Sequence, residues 1–113
     1  MNRKWAGLDD FKAQYIEDPE LSKSFVIMIN IFEGFGVLLK KGLDGDLLYE
    51  QMPTNAFYMW DKYEPWIKYV RLEMNYPQYA RPWEYLADEM KRIAKDRGDP
   101  IDIQYSYRNT SDR

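Results

Sequence analysis

The chain has no cysteine and no histidine among its 113 residues. The first absence removes disulfides, thiolate nucleophiles and cysteine-held zinc or iron–sulfur centres. The second removes the commonest transition-metal ligand and the usual base at neutral pH, and with them every histidine-dependent triad. Acid–base or metal chemistry would fall to carboxylates. Positive charge is also short, with Lys plus Arg at 16 against 19 for Asp plus Glu. No strong positive field is therefore available to gather nucleic acid or anionic lipid. The longest apolar block, 25–39, is broken by Asn30, Glu33, Gly34 and Gly36, and it falls short of the roughly 20 residues needed to cross a bilayer. The start, MNRKWAGLDDF, reaches Asp9 and Asp10 before an apolar run builds, unlike a secretory signal. A soluble, cytoplasmic protein is expected, with neither a membrane nor a nucleic acid as partner.

The length suits one domain with a single core. Leu8, Phe11, Tyr15 and Ile16 recur at helical spacing. Asp18-Pro19 ends that helix, because the residue before proline is pushed out of the α region, and it also starts the next one. Pro19 suits a first turn, Asp18 its cap and Glu20 its positive end. This second helix is predicted over about 19–41. Phe25, Met28, Ile29, Phe32, Gly36 and Leu39 mark one face; Val26, Ile27, Ile31, Phe35 and Leu38 cover much of the rest, as in a central helix surrounded by others. Lys40, Lys41 and Gly42 supply its stop.

Asp44, Gly45 and Asp46 make a turn before a short third helix carrying Leu47, Leu48, Tyr49 and Met52 and closed by Pro53. Thr54 or Asn55 caps a fourth that reaches about residue 75, with Ala56, Trp60, Tyr63, Ile67, Val70 and Met74 on its buried stripe and a kink expected at Pro65. Pro82 opens a fifth, with Trp83, Leu86, Ala87, Met90, Ile93 and Ala94 inward and an end near Gly98. In the tail, Ile101, Ile103, Tyr105 and Tyr107 alternate with polar residues at the period of a strand. The prediction is an all-α fold of about five helices packed around a central apolar helix. Residues 1–98 form a single domain, and 99–113 an extended or flexible C-terminal arm.

The glycines of FEGFGVLLKKG, 32–42, do not make a phosphate loop, because such a loop needs a strand before it so that free N–H groups converge on the anion. They are read as sparing side-chain volume where helices cross, at about 1 kcal/mol each in helix propensity. The triplet DGD, 44–46, lacks the further acidic ligands of a calcium loop and is read as a capping turn. No metal and no cofactor is expected.

Several separated elements occur in order: Phe32-Glu33, Gly36, Leu38, Gly42-Leu43, Asp46, Trp60, Pro65, Arg71, and Trp83 to Leu86. Over roughly 21–93 the chain thereby resembles a family of small prokaryotic all-helical domains of unknown function. The resemblance implies an all-α fold and brings no activity with it. Some members of that family follow membrane-spanning helices, which this sequence does not show.

Glu33 lies in an apolar stretch, where a carboxylate must find a partner or raise its pKa. Arg71, or a Tyr or Trp donor of the fourth helix, is the expected partner, and such a pair would make Glu33→Gln costly. Tyr58, Trp66, Tyr69, Tyr76 and Tyr79 cannot all point inward beside Trp60 and Tyr63, which suggests an exposed aromatic surface. The candidate binding residues are Glu33, Trp60, Tyr63, Trp66 and Arg71; no catalytic residue is assigned. The chain is read as a non-enzymatic protein-interaction or scaffold module, self-associating as a homodimer through its aromatic surface or its arm. The alternative is an intracellular small-ligand-binding domain with a polar pocket between helices.

Overall fold

The computed structural model of the chain describes residues 8–52 and 55–101. It consists of five helices: α1 Leu8–Glu17, α2 Pro19–Lys40, α3 Gly45–Gln51, α4 Asn55–Glu73 and α5 Arg81–Arg97. The stop at Pro53, a cap from Thr54 or the Asn55 side chain, and the alternating tail beyond residue 101 lie outside the described residues.

Local chemistry sets the boundaries. Asp18 holds extended backbone, and its carboxylate accepts from the Glu20 and Leu21 amides at 3.0 and 3.3 Å, with Pro19 in the first turn. Asp44 caps α3 in the same way through Asp46 N at 3.0 Å. At the other end of α2 the Leu43 amide reaches back to the Leu38 carbonyl, and Gly42 takes the positive φ of +110° that this closing turn needs. Gly98 ends α5 with φ of +76°.

The largest packing surface lies between α2 and α5, in keeping with the central place predicted for α2. α5 also packs on α4 and α3, while α1 bridges α2 and α4. Phe25, Ile29, Phe32, Gly36 and Leu39 bring α2 into the core; Trp83, Leu86, Met90 and Ala94 of α5 are fully buried there. Trp83 is the centre of this packing. Its ring stacks on Phe32 at 5.2 Å and meets Trp60 edge-on at 5.4 Å, and its indole N–H donates to the Ala56 carbonyl at 3.0 Å. The end of α5 and the residues after it as far as Ile101 are tied down as well: the Tyr49 hydroxyl donates to Asp99 at 2.7 Å, Arg97 donates to Asp46 at 3.1 Å, and Ile101 packs on the core.

Two features differ from expectation. α4 ends at Glu73, so Met74 is 60 % exposed rather than part of the buried stripe. Pro65 stands inside α4 at a solvent-facing position, where the missing amide donor leaves the Asp61 carbonyl to water. Most consequential, α2 is covered on one face only. The molecule measures 40 × 39 × 22 Å, and its thinnest dimension is about two helix diameters. Among the described residues no third layer covers the outer side of α2, and Val26, Ile27, Ile31, Val37 and Leu38 are 41 to 54 % exposed. Reaching back to Pro19, α2 has 22 residues and is long and apolar enough to cross a membrane by length and composition, longer than the block 25–39 suggested.

The two glycines of α2 part company here. A Cβ on Gly36 would sit 2.0 Å from the Pro82 carbonyl oxygen, backbone against backbone, whereas one on Gly34 would meet nothing within 4 Å. Gly36→Ala should force α2 and α5 apart and cost about 2–4 kcal/mol. Gly34→Ala should gain up to about 1 kcal/mol from helix propensity. Urea denaturation of the two variants in dilute solution checks both signs.

Candidate functional site

Two part-buried charged side chains, Glu33 and Arg71, converge on the first turn of α5. Its N-cap residue, Ala80, is in the left-handed region at φ 62° and has no side chain able to cap. Glu33 of α2 does that work across the fold, its Oε2 accepting from the Trp83 amide at 2.9 Å. Every first-turn donor is thereby met: Arg81 N reaches the Gln78 carbonyl, Pro82 has none, and Glu84 N reaches the Ala80 carbonyl. On the other side Arg71, in the last turn of α4, donates to the Tyr79 carbonyl at 2.8 Å and to Glu84 at 2.9 Å. The buried carboxylate expected at Glu33 is instead only part-buried. Its donor is the main-chain amide of α5 rather than Arg71, which acts on Glu33 through its field alone.

Burial raises the pKa of Glu33, opposed by the Trp83 amide and the Arg71 charge. The net rise means that the folded chain binds a proton more readily there than the unfolded chain does. The stability contribution of Glu33 therefore grows as pH falls toward and through the ordinary carboxylate range and declines again toward neutrality.

The five candidate residues divide between two places. Glu33, Arg71 and Trp60 share the start of α5, the guanidinium lying 5.7 Å from the Trp60 ring centre. Tyr63 is buried between Phe25 at 4.9 Å and Phe11 at 5.7 Å, its hydroxyl pKa held far above the usual value by burial. Trp66 lies with α1, stacked on Tyr15 and Tyr69 at 5.6 and 5.7 Å. Its Nε1 is buried without a hydrogen bond of good geometry, facing the Tyr79 hydroxyl, whose pKa is raised by burial and drawn down by the indole. α1 covers part of the predicted aromatic surface, meeting Trp66 through Phe11 and Tyr15, and Tyr69 through Lys12, and Trp66 and Tyr79 pack against the core, while Tyr76 stays exposed. Among the described residues no group of three or more acidic side chains gathers as metal ligands.

Sequence reasoning missed the open side of α2. Ser24, Ile27, Ile31, Gly34 and Leu38 follow one another at alternating intervals of three and four, the spacing of a helix–helix seam. An all-round apolar pattern hid that seam among residues taken to be covered.

The family model described as a domain of unknown function (DUF4760) matches residues 3–90, and the chain belongs to that family. No curated protein and no solved structure matches it.

Glu33→Gln keeps an acceptor for the Trp83 amide and removes a desolvated charge, so it should stay within about 0.5 kcal/mol of the parent at pH 7. Glu33→Ala, which leaves the first turn uncapped, should lose about 1–2 kcal/mol. Between pH 7 and 4 the parent should gain stability relative to Glu33→Gln. Urea midpoints measured across that range test both statements.

Proposed function

We propose that this member of the DUF4760 family is a non-catalytic interaction module whose working surface is the outer face of α2. The observation that carries this reading is the exposure of Val26, Ile27, Ile31, Val37 and Leu38 on a single helix. A monomer gains nothing from leaving such a face in water, and contiguous apolar patches commonly mark binding surfaces. Function by small-ligand binding at Glu33 and Arg71 has less support, since both side chains are already committed to holding the start of α5.

Ile27→Glu combined with Ile31→Glu changes only exposed positions and should leave the helical circular dichroism and the urea midpoint near those of the parent. With the full chain as bait in an extract of its host, a protein captured by the parent and lost with the double variant is the expected result. Equal recovery of every captured protein by both baits would place the working surface elsewhere.

A further inference from the structure

We infer that the outer face of α2 pairs with the same face of a second copy of this chain, the two helices running antiparallel about a two-fold axis near residues 30 and 31. This deepens the interaction reading by naming the partner. The seam Ser24, Ile27, Ile31, Gly34, Leu38 has the alternating three–four spacing with which one helix meets another, and the axis fixes what meets what. Pairing Glu20 with the partner copy's Lys41 places Ile27 against Gly34, Ile31 beside Asn30, and Ser24 against Val37.

Three observations select this arrangement. Gly34, on the exposed face of α2, weakens the helix by its low propensity and spares no room inside the fold, for a Cβ there meets nothing. Opposite Ile27 of a second copy, the missing side chain becomes a receiving space. The charges also lean by end: Glu17, Asp18 and Glu20 outweigh Lys23 around the start of α2, and Lys40 and Lys41 stand at its close, and among the described residues neither Glu20 nor Lys41 forms an ion pair within the chain. Antiparallel copies bring acid to base at both ends and oppose their helix dipoles. Parallel copies would set like charges together and face Gly34 with Gly34. Finally, the five exposed apolar side chains offer on the order of 400–500 Å², which with the intervening polar residues approaches the ~800 Å² per partner of a standard interface.

The test uses the full chain and its freedom from cysteine. Sedimentation should give a dimer for the parent, and a Kd at least about a hundredfold weaker for Ile31→Lys, which lies near the axis and so sets two introduced like charges close together. Unchanged circular dichroism would keep that loss separate from unfolding. Ser24→Cys and Leu38→Cys chains, mixed and oxidised, should cross-link to each other and not to themselves, because in an antiparallel pair identical positions stand apart by about 20 Å for Ser24. Self-linked Ser24→Cys chains would overturn the orientation. A parent that stays monomeric at high concentration would overturn the second copy as occupant. If such a monomer floats with phosphatidylglycerol–phosphatidylcholine vesicles while Ile31→Lys does not, the occupant is a lipid surface. If instead it still captures a host protein through Ile27 and Ile31, the interaction reading stands and this inference alone fails.

Discussion

The fold depends on how closely α2 and α5 approach. At their crossing the Gly36 backbone lies against the Pro82 carbonyl with no space for even a methyl group. That contact fixes the height of α5 on α2 and brings the Trp83 amide within reach of Glu33. From there Trp83 places its ring between Phe32 and Trp60 and its indole N–H on the Ala56 carbonyl. One close backbone approach thus positions a carboxylate cap, the largest buried side chain and the docking of α4.

The same geometry accounts for the polar residues that first suggested chemistry. A left-handed Ala80 gives α5 a sharp entry and deprives it of a local cap. Glu33 from one side and Arg71 from the other make good that deficit. A half-buried carboxylate with a raised pKa is a common mark of an active site. Here the rise comes from burial, and the carboxylate already has its donor, so the perturbation reads as the cost of a cap supplied from fifty residues away.

Much of this was legible in the sequence because it is local. Asp18-Pro19, Asp44, Lys40-Lys41-Gly42 and Gly98 carry their boundary chemistry within a few residues, and each marks a helix end. The partner of Glu33 was not legible, since a main-chain amide on a distant helix has no side-chain signature. Gly34 and Gly36 look alike in the sequence; only the crossing of α5 over one of them tells them apart. The apolar circumference of α2 suggested cover on all sides because hydrophobicity reports a preference for burial without saying whether the same chain provides it. Among the described residues, α2 has an apolar face left over.

Native-state amide exchange at Trp83 tests the central claim most directly. If the α2–α5 crossing and its carboxylate cap anchor the fold, this amide exchanges only through global unfolding, with the same denaturant dependence as the buried Leu86 and Met90 amides. Exchange that is fast and insensitive to denaturant while those two stay protected would mean that α5 frays at its start, and that the crossing does not hold the structure together.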